Sequence, residues 1–267
     1  MKFANVVVIL LFALSLPSLA VEKVPTIVLV HGAFFTSAVW SRTQRALQDK
    51  GYNVVTLSLA GRDGDTTGPD KINLQLAAAK VCKIAQLQDG PVLLLGHSLG
   101  GAVIKQATDQ CSKDLKALVF LAAVAPSEGV PAFPAQIEET GFGNCAKFDP
   151  VTQTFMIKSG PACAASFFGD IIDSDQQNKL VAQMVSEPKG IGTSQLEFKQ
   201  LSADQFFRFP KYYIHTTQDQ LVPYKDQVEL AKNLGVVETY SMNTSHCPFF
   251  SQPDQLASII IQIVRSL

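Results

Sequence analysis

A serine between two glycines is the residue best placed to do chemistry in this chain of 267 residues. The segment Gly96 to Gly100 reads Gly-His-Ser-Leu-Gly, and it follows an apolar run that ends at Leu95. In this position the pattern predicts a sharp strand-to-helix turn that raises the serine hydroxyl above a sheet. Glycines are expected there because a side chain would collide with neighbouring backbone. Ser98 is therefore the predicted nucleophile.

A serine hydroxyl needs a base, and the chain has four histidines. His31 closes the first predicted strand, His97 belongs to the turn itself, and His215 is interpreted as a buried strand residue. His246 lies in a late loop, between the last predicted strand and the last predicted helix. Nucleophile turns of this kind are followed along the chain first by the acid and then by the histidine, which selects His246.

The acid that orients the imidazole is predicted to be Asp219. It lies in the loop from Thr216 to Pro223, directly after a predicted strand and at the same sheet edge as Ser98. Asp226 is expected on the next helix as a solvated charge, and Asp204 at the opposite edge of the sheet.

Two backbone amides are expected to stabilise the negative oxygen of the transition state. One belongs to Leu99, the residue after the nucleophile, and the other to Ala33 in the loop after the first strand. The predicted mechanism uses no metal and no organic cofactor, and no Cys or His pattern has the spacing of a zinc site.

The elements that must position these residues form a regular alternation of strands and helices. Strands are predicted at 26–30, 53–59, 91–95, 115–122, 211–216 and 236–241, and helices at 37–50, 70–86, 100–110, 224–234 and 253–265. Strands that are apolar from end to end and alternate with helices predict a parallel sheet that is covered on both faces. The expected fold class is therefore α/β, with a six-stranded, mainly parallel sheet.

The alternation is interrupted between residues 127 and 205, where Pro, Gly and Phe are frequent. We predict an α/β core at 21–126 and 206–267, with a cap inserted over the edge where open α/β sheets carry their sites. Some of the phenylalanines in and after the cap could line an apolar pocket above Ser98, although most are expected in the core. They are Phe142, Phe148, Phe155, Phe167, Phe168, Phe206, Phe207 and Phe209.

Residues 1–20 are predicted to be a secretory signal peptide. Lys2 precedes an apolar run from Val6 to Leu16, and small residues at 18 and 20 suit cleavage after Ala20. An uncleaved anchor is the alternative, but the run is short for a bilayer span of about 20 residues. We expect a secreted or periplasmic protein without a stable membrane anchor.

Charge and cysteine content restrict the partners and the compartment. Lys and Arg number 22 against 23 Asp and Glu, with no basic stripe, so nucleic acid is not an expected partner. The chain has five cysteines, and export permits disulfides while leaving at least one thiol free. We expect Cys82–Cys111 between neighbouring helices and Cys145–Cys163 within the cap, although sequence alone does not determine the pairing.

The motifs resemble a branch of the α/β-hydrolases: the plant methylesterase and hydroxynitrile lyase family with its bacterial, pyrethroid-hydrolase-like esterases. The resemblance covers essentially the whole chain after residue 20 and implies an α/β-hydrolase fold with a Ser98–Asp219–His246 triad. The segments that carry it are 31–33, 96–101, 167–170, 216–223 and 245–253.

This branch contains both esterases and carbon–carbon lyases. The lyases typically have a threonine after the first-strand histidine and a lysine after the catalytic histidine, where this chain has Gly32 and Cys247. Both differences favour a serine carboxylesterase that forms an acyl-enzyme. The phenylalanines in and after the cap give the separate hypothesis that its substrate is a small, apolar or aromatic ester. A hydroxynitrile-lyase-like enzyme and a ligand receptor on the same fold are the alternatives. Cys247 is interpreted as a small packing residue.

Overall fold

A six-stranded parallel sheet forms the centre of the molecule. The computed structural model describes residues 23–133, 142–143 and 145–267, so the predicted signal peptide at 1–20 lies outside the described residues. The strands are β1 (Thr26–Val30), β2 (Val54–Leu57), β3 (Val92–His97), β4 (Leu115–Leu121), β5 (Ala146–Asp149), β6 (Thr154–Ile157), β7 (Glu187–Pro188), β8 (Lys211–Thr216) and β9 (Glu238–Met242). The main sheet has the order β2-β1-β3-β4-β8-β9, and all its neighbouring strands are parallel.

The α-helices follow the strands in the predicted alternation. They are α1 (Ser41–Gln48), α2 (Leu74–Gln86), α3 (Gly100–Cys111), α4 (Pro161–Phe168), α5 (Ser174–Ala182), α6 (Lys189–Thr193), α7 (Ala203–Phe207), α8 (Tyr224–Leu234), α9 (Pro248–Ser251) and α10 (Pro253–Ser266). Helix α1 packs against α10, and α2 packs against α3. Every residue of β1 and β3 is buried, so helices and loops cover both faces of the sheet there. The predicted fold class is confirmed.

The boundaries of several predicted elements differ because local hydrogen bonds end them early. Strand β2 stops at Leu57, and the amide of Leu59 donates to the His31 ring instead of to a neighbouring strand. The predicted helix at 70–86 is divided, because the Asn73 side chain caps α2 by accepting from the amide of Leu76. The predicted helix at 37–50 likewise begins with a separate 3₁₀ turn at Ser37–Trp40.

The chain between β4 and β8 contains a second, antiparallel sheet with the order β5-β6-β7, together with α4 to α7. This segment includes the predicted cap. One of its attachments to the core is the buried carboxylate of Asp109 on α3, which accepts the backbone amides of Lys199, Gln200 and Leu201. In the part of the chain that is described, no helix is long and apolar enough to span a membrane.

One predicted disulfide is confirmed and the other is wrong. Cys82 on α2 is bonded to Cys111 at the end of α3. Cys145 and Cys163 are both free and buried, and the Cys163 thiol points to the carbonyl oxygen of Cys145 at 3.9 Å. The Cys145 thiol and burial raise the pKa of Cys163, whereas the hydrogen bond with Cys163 lowers the pKa of Cys145, so the two thiols share a hydrogen bond in place of the predicted disulfide.

Replacing both Cys82 and Cys111 by alanine is expected to lower the free energy of unfolding by about 2 to 4 kcal/mol, because the bond closes a loop with a sequence separation of 29. Urea denaturation of the variant and of the oxidised protein measures the difference. Dithiothreitol should destabilise only the unmutated protein. Equal stability of variant and oxidised protein would contradict the assignment.

Candidate active site

The predicted nucleophile lies on a strained turn between β3 and α3. Ser98 has a φ of 51°, in the left-handed region that L-residues rarely adopt. A Cβ at Gly96 would lie 2.4 Å from the carbonyl oxygen of Gly100, and one at Gly100 would lie 2.7 Å from that of His31. Both glycines are therefore required, as the sequence pattern predicted.

Hydrogen bonds on both sides of Ser98 hold this turn. Its amide donates to the carbonyl of Leu121 at the end of β4 over 3.1 Å. Its carbonyl accepts from the amides of Gly101, at 2.9 Å, and Val124, at 3.0 Å. A strained residue persists only where its surroundings determine its conformation, and here two neighbouring elements do so.

The predicted acid and base are in direct contact. His246 Nδ1 lies 2.7 Å from Asp219 Oδ2, and both side chains are buried. Asp219 follows β8 and His246 follows β9, so adjacent parallel strands deliver both to the edge where β3 delivers Ser98. A carboxylate on Nδ1 fixes the tautomer that leaves Nε2 free to accept a proton.

The carboxylate of Asp219 is held by a network that the sequence did not reveal. Its Oδ1 accepts the amides of Leu221 and Val222 at 2.8 and 2.9 Å. Its Oδ2 accepts the Thr216 hydroxyl at 2.9 Å and the Gln227 side-chain amide at 3.2 Å, besides His246. Gln227 is buried in α8, so its place in the site depends on tertiary packing. These bonds satisfy a buried charge and fix its orientation.

Ser98 and His246 line the same cavity. Among the hydrogen bonds of the described residues, however, none joins the Ser98 hydroxyl to the His246 ring. Such bonds are often long or poorly aligned in unliganded enzymes and shorten when substrate binds. The structure therefore joins two of the three predicted residues by a hydrogen bond and places the third beside them.

The two predicted oxyanion donors belong to different loops, after β1 and after β3. Ala33 lines the cavity, and the amide of Leu99 is the first after the nucleophile. Neither amide has an acceptor among the hydrogen bonds of the described residues. The next amide along the first loop, that of Phe34, is instead bound to the Glu187 carboxylate at 3.0 Å, so it is not available to a substrate.

His97 is hydrogen bonded to the backbone of the loop that carries His246. Its Nε2 lies 2.9 Å from the carbonyl oxygen of His246, so this nitrogen carries the proton and donates. Burial and the neighbouring His246 hold the pKa of His97 well below its usual value. A neutral His97 adds no second positive charge next to the ring that has to become an imidazolium.

The residues on either side of His246 connect it to the cap and the core. The Ser245 hydroxyl is hydrogen bonded to the Asp170 carboxylate, at the end of the cap segment 167–170 that the sequence singled out. Burial and the Asp219 carboxylate raise the pKa of the Cys247 thiol well above its usual value. Cys247 is therefore a neutral packing residue, as interpreted from the sequence.

The cavity has a volume of about 130 Å³ and an almost entirely apolar lining. Apart from Ser98 and His246, its lining residues are Ala33, Val124, Ala132, Phe133, Phe142, Phe167, Leu221 and Val222. Of the eight phenylalanines considered from the sequence, Phe142 and Phe167 contribute to the lining. Phe206 packs instead against the Lys211 ammonium, 4.8 Å from its ring centre.

The rejected sequence candidates lie away from this cavity. His215 is buried within β8 and stacks on Tyr213 with ring centres 4.6 Å apart. Asp226 and Asp204 are both exposed. Over the described ranges, no group of three or more His, Cys, Asp and Glu side chains is placed to hold a metal ion.

A nucleophile turn after β3 and an acid–histidine pair after β8 and β9, on a parallel sheet with an inserted segment, define an α/β-hydrolase architecture. A family model agrees with this class: the alpha/beta hydrolase family matches residues 27–259. The chain therefore belongs to the alpha/beta hydrolase family.

Several relatives are named as esterases or hydrolases. The pyrethroid hydrolase of Sphingobium wenxiniae is 26% identical over 251 residues, which cover 89% of this chain and 86% of that protein. Methylesterase 17 of Arabidopsis thaliana is 24% identical over 264 residues, 92% of this chain and 94% of the relative. The crystal structure of a pyrethroid hydrolase from Sphingobium faniae superposes with a TM-score of 0.77 at 23% identity, covering 91% of this chain and 98% of that one, which shows a shared fold.

His31 generates a prediction about stability and pH. Burial and Arg62 lower its pKa from 6.5 to about 3, so it stays neutral in the folded protein at pH values where the unfolded chain binds a proton. The free energy of unfolding should therefore fall as the pH decreases from 6.5 to 5, by up to about 1.4 kcal/mol per pH unit for this residue. In His31→Gln, whose amide can also donate and accept, the slope should be shallower by up to that amount. Urea titrations at each pH measure it, and equal slopes would contradict the prediction.

Proposed function

We propose that this protein hydrolyses carboxylic esters through an acyl-enzyme on Ser98. The observation that supports this most directly is the Asp219–His246 pair at 2.7 Å, which opens with Ser98 onto one apolar cavity. Relatives named methylesterase and pyrethroid hydrolase over most of the chain support the same reaction type. The catalytic roles below are part of the proposal.

In the first half-reaction the Ser98 hydroxyl attacks the ester carbonyl carbon while its proton passes to His246 Nε2. The carbonyl oxygen becomes an oxyanion that accepts hydrogen bonds from the amides of Ala33 and Leu99. The tetrahedral intermediate then breaks the bond to the alcohol oxygen, and His246 gives the alcohol its proton. Asp219 stays ionised and stabilises the imidazolium.

In the second half-reaction a water molecule takes the place of the alcohol. It gives one proton to His246 and its oxygen attacks the acyl carbon, which forms a second oxyanion between the same amides. Breaking the bond to Ser98 Oγ releases the carboxylic acid, and His246 returns the proton to the serine. The products are one acid and one alcohol, and the protein is regenerated.

The cavity supports a compact apolar or aromatic ester as the substrate. Among the described residues, its lining side chains other than Ser98 and His246 are aliphatic or aromatic, so a charged group placed against them would lose its hydration without gaining a partner. A volume of about 130 Å³ holds a short acyl group or a small alcohol fragment, whichever part of the ester enters it.

The position of Gly32 argues against the lyase alternative. A Cβ there would lie 2.8 Å from both His97 Nδ1 and Ser98 Cβ, so this loop has no room for the threonine expected of the lyases. Cys247, at the position of the lyase lysine, is buried and supplies no positive charge for a cyanide leaving group.

Export remains part of the proposal. The apolar run at 6–16 and the small residues before position 21 support cleavage of a signal peptide, and the Cys82–Cys111 disulfide suits an oxidising compartment outside the cytoplasm. Sequencing the N-terminus of the protein recovered from the medium or periplasm tests it, with a mature chain expected to begin near Val21.

The proposed catalytic residues give a prediction about activity. Ser98→Ala is expected to lower kcat for p-nitrophenyl butyrate by about ten thousandfold or more, and Asp219→Asn by a similar factor because the imidazole would adopt the wrong tautomer. Steady-state rates of folded variants measure this. Asp226→Asn, an exposed aspartate in the first turn of α8, is the matched control and should retain full activity.

Three results would count against this scheme. If Ser98→Ala kept its activity, Ser98 would not be the nucleophile. A single turnover followed by a stable adduct in the unmutated protein would indicate a receptor. Release of cyanide from a cyanohydrin would indicate a lyase.

The apolar lining gives a prediction about the polarity of the acyl group. An ester with a neutral butyryl group should be hydrolysed with a kcat/KM about a hundredfold greater than one with a similarly long succinyl group, because the described residues that line the cavity offer the free carboxylate no cation. Rates at pH 8 with the same p-nitrophenol leaving group isolate the acyl part. Comparable values for the two esters would show that the acyl group does not enter the cavity.

A further inference from the structure

We propose that Glu187, held by Arg62, is a positioning residue that aligns the Ala33 amide for the oxyanion. The inference rests on the proposed function, because it assigns the amide that the proposed reaction needs. Glu187 lies on β7 in the inserted segment, and Arg62 lies in the loop after β2. The ion pair therefore connects the inserted segment to the loop after β2, and Glu187 also reaches the predicted oxyanion loop through the amide of Phe34.

Three successive peptide groups of this loop are each fixed by one hydrogen bond. The carbonyl of Gly32, whose peptide carries the Ala33 N–H, accepts from His31 Nδ1 at 2.8 Å. The N–H of Phe34 donates to Glu187 Oε2 at 3.0 Å. The carbonyl of Phe34 accepts from the amide of Val185 at 2.9 Å.

These bonds determine where the Ala33 amide points. The C=O and N–H of one peptide point in opposite directions, so holding the Gly32 oxygen on the His31 side turns the Ala33 N–H away from it. The peptide on the other side of Ala33 is held by Glu187, which fixes the remaining rotation around this residue. Phe34 itself has a φ of 66°, a conformation that needs such support.

The carboxylate is suited to this task because it is buried, charged and paired. Glu187 and Arg62 are 0% and 1% exposed in their side chains, and Arg62 also donates to the carbonyl of Ala60 at 2.9 Å. The same oxygen of Glu187 binds both the Arg62 guanidinium and the Phe34 amide. A hydrogen bond to a charged acceptor is stronger than one to a neutral acceptor, so the loop is held rigidly.

Glu187 does not line the cavity, which separates its role from that of a substrate-binding residue. Its loss should lower the rate of the chemical step and leave the ground-state affinity almost unchanged. An oxyanion donor matters in the transition state, and removing one entirely lowers kcat by about 100- to 1000-fold.

The decisive comparison is between two double variants that both remove the buried charges. Arg62→Met with Glu187→Gln keeps a side-chain oxygen for the Phe34 amide. Arg62→Met with Glu187→Met has a similar volume but no oxygen there. Both lose the Arg62 bond to Ala60, so the difference between them isolates the hydrogen bond to Phe34.

We expect the glutamine variant to remain within about threefold of the unmutated kcat, and the methionine variant to lose about tenfold to a hundredfold with KM almost unchanged. The inhibition constant of a trifluoromethyl ketone, which forms an oxyanion on the serine, should rise by the same factor as kcat/KM falls. The pH at which activity falls on the acid side should not move, because His246 is not involved.

Asp109→Asn is the matched control, since this buried carboxylate also accepts backbone amides of the cap but far from the cavity. It should lower the melting temperature and leave kcat unchanged. Equal kcat for the two double variants would overturn the inference, and so would a loss in the methionine variant that appears only as a raised KM. Both outcomes leave Ser98→Ala inactive, whereas an active Ser98→Ala refutes the proposed function itself.

Discussion

The site depends on a close approach of two strand ends with no side chain between them. The ends of β1 and β3 are neighbours in the sheet, and the loops that follow them meet where Gly32 faces the Ser98 side chain and Gly100 faces the carbonyls of Val30 and His31. Any Cβ at either glycine would separate the two loops. At this contact Ala33 and Ser98 line one cavity, as the proposed reaction requires, and Ser98 has a left-handed conformation.

The side chains around this contact are arranged so that His246 can gain a proton while the charges of its neighbours stay the same. His31 and His97 are buried with lowered pKa values, so both are neutral: His31 donates to Gly32 and accepts from Leu59, whereas His97 donates to the carbonyl of His246. The Asp219 carboxylate is satisfied by donors from its own loop and from Gln227. The proposed reaction then protonates His246 while its neighbours keep their charges, which is the condition for a preorganised site.

Much of this was predictable because it is local. Apolar runs identified the main-sheet strands, and chain order singled out Ser98, Asp219 and His246, which each follow a strand at the same edge. Their catalytic roles stay predictions. Glu187 was not found, because it lies in a strand of two residues and its partner is 125 positions away. The Cys145–Cys163 pairing was wrong because proximity in sequence does not determine whether two thiols bond.

The inserted segment leaves the main sheet at the end of β4 and returns to it at the start of β8. Strands β4 and β8 are adjacent, and bonds such as Leu118 N to Pro210 O and Ala122 N to Ile214 O tie the two ends of the excursion together. The pairing of β4 with β8 therefore does not depend on the length of the chain between them. A lid of another length would still have to supply backbone amides for the Asp109 carboxylate, a partner for the Ser245 hydroxyl and an acceptor for the Phe34 amide, so these contacts limit an exchange more than the lining residues do.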